Sequence, residues 1–232
     1  VAGALSLHVL AYAKFGVFDP APLRISRPYA NPERTNAIEG KSMHAANIPY
    51  GFYTYVVRPN LRFEPGFPWI YLGSNTPGHY FPKAKIDLPD HTLAVPYSMP
   101  GLFALATAGC LLAFAVVPAL RAPITVTWLA SIPMSVALFA AVATAQRYTG
   151  DFCPPLITAA ALGLAGISAL RTVPRVVALV SAVLATAAAV AMTWALTLHY
   201  QGDTLWGVPE ETRANYRELR REVDDVAARN LR

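Results

Sequence analysis

About a hundred consecutive residues, Met99 to Tyr200, carry only five charged side chains: Arg121, Arg147, Asp151, Arg171 and Arg175. The rest is mostly Ala, Leu, Val and Ile in runs of about 17 to 25 residues. That is the length that crosses a hydrocarbon core about 30 Å thick at about 1.5 Å of rise per helical residue. Lipid offers no water to backbone N–H and C=O groups, so runs of this kind fold as helices that satisfy those groups internally. The whole chain is 54% hydrophobic and 14% charged, against about 25% charged residues in soluble domains. The expected class is an all-α integral membrane protein, a polytopic helical bundle of about five spans. An irregular extracytoplasmic segment and a C-terminal amphipathic helix complete it.

Four organisational units follow. Residues 1–18 read as the end of a transmembrane helix, with Lys14 near its last turn and Asp19-Pro20 ending it. The chain opens on Val1 with apolar residues already in place and lacks the basic start and cleavage site of a signal peptide. The first span is therefore expected to be truncated and the chain to be the C-terminal part of a larger membrane protein. Residues 19–99 mix Pro, Asn, Gly, aromatics and charges without a sustained period, as a segment on the membrane face would. Within it, Ile48, Phe52 and Tyr55 have the spacing of one apolar helix face, while Gly51 and Pro49 argue for a break or a start.

Residues 100–200 form a four-span membrane domain: Gly101–Leu120, Ile124–Ala145 with a kink at Pro133, Pro154–Leu170, and Val176–His199. The connector Arg171-Thr172-Val173-Pro174-Arg175 leads into the last. Residues 201–232 begin a helix at Pro209-Glu210-Glu211, with Tyr216, Leu219, Val223, Val226 and Leu231 as an apolar stripe for docking on protein or bilayer.

Short loops fix orientation through their Lys and Arg content. The ends at Arg121 and at Arg171 to Arg175 carry three Arg and no acid, so they belong in the cytoplasm. The Arg147–Asp151 loop, residues 19–99 and the tail then face outward, in a multi-pass protein of the cell (inner) membrane.

The bilayer is the expected partner. The formal charge of +5 and the lack of a basic stripe with interleaved aromatics argue against nucleic acid. Cys110 and Cys153 lie in or beside apolar runs and read as small buried residues. His44, Asn47, Arg58 and His79 stand in the outer segment without metal-ligand spacing, so no metal is expected. No phosphate-binding loop, dinucleotide fingerprint or GxSxG occurs, and Glu33, Glu39, Glu64, Asp87 and Asp90 are scattered singly. Arg147 and Asp151 read either as two charges at helix ends, the Asp favoured by the next helix dipole, or as the lining of a polar cavity.

Three motifs carry a family resemblance. Leu10-Ala11-Tyr12-Ala13-Lys14-Phe15-Gly16-Val17-Phe18 resembles an "NYARFGSPF"-type stretch of large bacterial multi-pass proteins, many of them uncharacterised. Those proteins are similar to GT-C-type, polyprenol-phosphate-sugar-dependent glycosyltransferases. They also carry an "N-P-x-x-x-x-x-Y-x-x-x-P" run followed by "FP", to which Asn47-Ile48-Pro49 through Tyr55 to Pro59 and then Phe67-Pro68 are similar. An "RYxxDFxPxL" element between two spans is matched by Arg147-Tyr148-Thr149-Gly150-Asp151-Phe152-Cys153-Pro154-Pro155-Leu156. Lys14 stands where Arg is commoner.

The resemblance implies transfer of a sugar from a lipid-phosphate donor at the outer membrane face, with no other cofactor. It makes Lys14, Arg58, Arg147, Tyr148 and Asp151 the candidates for lining a lipid-phosphate or substrate site. The family's catalytic acid lies in a first outward loop near its N-terminus, to which nothing here corresponds, so no catalytic residue is carried over. A transporter or flippase fragment, or a structural membrane subunit without catalysis, is the alternative; the spans are poor in polar residues at their centres and show no repeat.

Overall fold

The structure is a computed structural model that describes residues 9–10, 12–14, 16, 31–73, 80–200 and 208–230. It is mostly helical. Three helical stretches are long and apolar enough to cross a membrane, 118–140, 146–168 and 172–199. A shorter apolar one, Pro100–Val116, precedes them.

Residues 1–18 fall largely outside the described set. The helical residues there include Tyr12 and Lys14, both exposed. Gly16, at φ 69°, donates its amide to the Tyr12 carbonyl at 2.8 Å, the left-handed closure that glycine allows at a helix end.

Pro32–Ala37 forms α1, capped by the Asn31 side chain on the Glu33 amide at 2.9 Å. A 3-10 turn (Ala45–Asn47), an α-helical stretch (Ile48–Phe52) and a wide π turn (Tyr53–Val57) continue as one helix, α2. Pro49 sits in its first α turn, where the missing N–H costs nothing. Gly51 is a contact point and not a break, because a Cβ there would lie 2.4 Å from the Phe139 backbone. That approach selects the buried face, Asn47, Tyr50, Thr54 and Tyr55, and leaves Phe52 exposed. Of the expected stripe of Ile48, Phe52 and Tyr55, only Tyr55 is buried.

The hairpin β1 (Leu61–Phe63) and β2 (Ile70–Leu72) follows, antiparallel with Arg62 opposite Tyr71. Next come the short strand β3 (Leu88–Pro89) and helix α3 (Val95–Ser98).

Pro100–Val116, α4, contains a π turn at Leu105–Gly109. It stops before the expected Leu120 because Val117, preceding Pro118, takes φ −124° and ψ 87°, outside the helical region that proline denies its neighbour. A 3-10 turn, Pro118–Leu120, reverses the chain into α5, Arg121–Ala140, which runs through Pro133. β4 (Ala143–Thr144) and a 3-10 turn (Gln146–Phe152) lead into α6, Cys153–Ser168, with the proline pair in its first turn. α7, Thr172–His199, takes Arg171 as its N-cap, so Pro174 and Arg175 lie in its first turn and not in a connector. α8, Glu210–Asn230, ends the described chain.

Small residues hold the bundle together. Apolar area drives little association between helices already in lipid, so close backbone approach matters more. At Gly163 of α6 a Cβ would lie 2.2 Å from the Leu105 carbonyl of α4, and at Gly166 it would lie 2.6 Å from Ala113. Buried Cys110 donates its thiol to the Ala159 carbonyl at 2.8 Å across the same seam. α7 meets α4 where Gly101 faces Thr186, and it is buried near its end at Ala195, Leu196 and His199. Most of its length is exposed.

The segment 31–99 sits on the α4-start, α5-end and α7-end side of the bundle. His44 N–H donates to the Ala140 carbonyl at 2.7 Å, Val142 N–H to Ser42 at 3.0 Å, and Asp87 N–H to Val142 at 2.9 Å. β3 pairs in parallel with β4. α8 docks on the hairpin through Asp224, which accepts from Phe67 N–H at 2.8 Å, and through Arg220, which lies over the Tyr71 ring and donates to its hydroxyl. Tyr216 is buried, while Leu219 and Val226 are about half exposed. The docking face is therefore rotated from the apolar stripe read in the sequence, because the hairpin offers a phenol and an amide as partners. Leu231 lies outside the described residues.

Candidate functional site

The turn Gln146–Phe152 joins α5 to α6 where the outer segment packs on the bundle. Gln146 fixes its start: the side-chain oxygen accepts from Leu93 N–H at 2.6 Å. Thr149 closes it by donating to the Gln146 carbonyl at 2.7 Å. Tyr55 clamps the preceding residue from below, its hydroxyl accepting from Ala145 N–H at 3.1 Å. Tyr55 is fully buried, and burial pushes its phenol well above the usual tyrosine range, so it stays a neutral hydrogen-bonding group. The turn is therefore held at fixed height by groups far away in sequence.

Two cavities flank it. The first, of about 760 Å³, lies between the start of α4, the turn and the last half of α7. Its walls are apolar, from Met99 and Leu102 on one side to Val190, Trp194 and Leu196 on the other. Thr186, Thr193 and Thr197 also line it, but each hydroxyl donates to the carbonyl four residues back at 2.8 Å, which leaves methyl groups and spent hydroxyls on the wall. Polar groups gather at one end: Gln146, Arg147 and Tyr200.

Arg147 is exposed and its guanidinium lies over the Tyr148 ring, 5.1 Å from the centroid. The Tyr200 hydroxyl donates to the His91 carbonyl. Burial, and then the negative field of Asp90, pushes that phenol well above its ordinary value. An apolar trench with a fixed guanidinium at one end suits an amphiphile with an anionic head.

The second cavity, of about 610 Å³, lies on the other side of the turn against the end of α5. Met134, Ala137 and Leu138 line it together with the polar residues Ser42, Tyr148 and Asp151. Gly150 lines both cavities, Arg147 only the first and Asp151 only the second. Among the described residues no ion pair joins Arg147 to Asp151.

Of the residues singled out in sequence, the turn thus brings together Arg147, Tyr148 and Asp151. Lys14 and Arg58 line neither cavity. Arg58 ends α2 half-buried, where its charge acts on Tyr50.

His44 is structural: its Nε2 lies 2.7 Å from the Ile38 carbonyl and its Nδ1 3.9 Å from Glu39. Asn47 is a buried clamp, its amide within reach of the Lys85, Ala140 and Ala141 carbonyls while its oxygen accepts from Lys85 N–H at 2.6 Å. His79 lies outside the described residues. Gln146, Tyr200 and Trp194 were not distinguished by sequence. Their roles depend on partners such as Leu93 and His91, 53 and 109 residues away.

No family model, curated protein or solved structure matches this chain.

Proposed function

We propose that the chain is the membrane part of a GT-C-like glycosyltransferase whose first cavity receives a lipid-phosphate-linked sugar, with the catalytic acid outside these residues. The observation that carries this reading is the trench of about 760 Å³ with Arg147 at its head. Its volume is that of a ligand site, roughly 300–1,000 Å³. Its long wall is α7, exposed along most of its length, so an acyl or polyprenyl chain can enter sideways from the bilayer. Arg147 stacked on Tyr148 is a preorganised phosphate donor. Lys14 and Arg58 are not among the residues that line the trench.

The Arg-bearing ends at Arg121 and Arg171 point away from the outer segment, and the positive-inside rule then sets them in the cytoplasm of a cell (inner) membrane. Residues 19–99 and the tail face outward in this reading.

The test is equilibrium binding of a fluorescent polyprenyl phosphate to the full chain in nanodiscs, with the matching polyprenol as reference. Arg147→Ala is expected to weaken the phosphate about tenfold, the low end for a charge-assisted hydrogen bond at an exposed site, and to leave the alcohol unchanged. Equal binding of phosphate and alcohol to the unaltered protein refutes the proposal.

A further inference from the structure

The second cavity has the opposite electrostatic character from the first. We propose that it binds a membrane phospholipid with a primary ammonium head, an ethanolamine lipid, and that Asp151 is the group that recognises that head. This site is separate from the trench that Arg147 heads.

Three residues that line the cavity fit such a head. Asp151 is exposed and, among the described residues, makes no ion pair, so its carboxylate is available to accept N–H bonds. Tyr148 lines the same cavity and brings a hydroxyl whose oxygen can accept from an ammonium N–H. Ser42 adds a hydroxyl that can reach a lipid phosphate or ester.

Below them the wall is the end of α5, with Met134, Ala137 and Leu138, a surface matched to an acyl chain. The volume of about 610 Å³ is enough for a lipid head and the upper part of its chains, within the roughly 300–1,000 Å³ of ligand sites. A purely anionic head meets Asp151 at its first contact and is repelled. The turn therefore sorts lipids by charge, an anion on the Arg147 side and an ammonium on the Asp151 side, with Gly150 as the thin wall between them.

The full chain is reconstituted in nanodiscs containing equal amounts of ethanolamine, choline and glycerol phospholipids with identical acyl chains. Native mass spectrometry then counts the lipids that stay bound after delipidation. The expected result is about fivefold enrichment of ethanolamine over glycerol lipid, with choline between because it keeps the charge but cannot donate N–H bonds.

Asp151→Asn removes the enrichment, Asp151→Glu keeps it, and Asp225→Asn on the exposed face of α8 does not change it. Excess polyprenyl phosphate leaves the ethanolamine lipid in place. The proposal is overturned if Asp151→Asn retains the enrichment, if glycerol lipid is held as well as ethanolamine lipid, or if polyprenyl phosphate displaces the bound lipid. The last outcome would merge the two sites and leave the Arg147 reading standing.

Discussion

Gly163→Ala tests whether the α4–α6 seam is held by backbone approach. The new Cβ would stand 2.2 Å from the Leu105 carbonyl oxygen and 3.1 Å from Gly109, both backbone atoms that cannot rotate away. Restoring an ordinary contact moves the helices apart by about 1 Å, which forfeits part of the dispersion along the seam. Overpacking of this kind costs about 1–3 kcal/mol, and a clash with backbone belongs at the upper end. Against it stands the helix preference of Ala over Gly, about 1 kcal/mol. The net is a loss of about 2 kcal/mol, or a fall in Tm of about 4–8 °C for a chain of this size.

Cys110 supplies the assay. It is 1% exposed and packed on α6, so in a Cys153→Ser background, which removes the partly buried second thiol, a thiol-reactive fluorophore reports opening of this seam during heating. Gly150→Ala is the reference, because nothing lies within 4 Å of a Cβ there, and its Tm should hold within about 1–2 °C. A Gly163→Ala protein as stable as that reference would refute the claim that small residues set the seam.

Two further outcomes follow from the outer segment and the tail. Asn47→Leu, at a fully buried position, leaves the part-buried Lys85 N–H without its acceptor and strips a donor from the Ala140 and Ala141 carbonyls. A loss of about 3 kcal/mol is expected in the same thermal assay, and a change under about 0.5 kcal/mol would show that the clamp is dispensable. At the start of α8 the Arg217 guanidinium donates to Glu210 and holds its carboxyl below the usual range. A group lowered in the fold stabilises it above the unfolded carboxylate value and loses that contribution as pH falls through the folded value. A carbon-13 NMR titration should therefore place the Glu210 midpoint below about 4.3, with Arg217→Gln returning it to that value.

What the sequence made legible was the part written in composition. Apolar runs marked α5, α6 and α7, and Pro154-Pro155 marked the start of α6, because both signals depend only on near neighbours. Faces were harder. Gly51 read as a helix weakener, yet its lack of a side chain is what lets Phe139 approach, and Phe52 stays about half exposed with its ring edge-on to Phe139. In α8, Leu219 and Val226 looked like the docking stripe, but Arg220 and Asp224 found a phenol hydroxyl and a backbone amide on the hairpin. Hydrophobic period alone does not weigh a partner surface that offers polar groups.

The same limit applies at the site, where helix type decides the chemistry. On an α-helix, which turns about 100° per residue, charges four residues apart lie within about 40° of each other. The segment holding Arg147 and Asp151 is instead a 3-10 turn. At three residues per turn, i and i+3 eclipse and i+4 lies about 120° away. Arg147 and Asp151 therefore leave the turn on different faces, each into its own cavity. The proline pair at 154–155 starts a new helix just beyond, and Thr149 closes the turn by donating to a carbonyl three residues back. Both features are visible in the sequence once the tighter turn is considered. The tightness of one turn thus parts two opposite charges between two cavities.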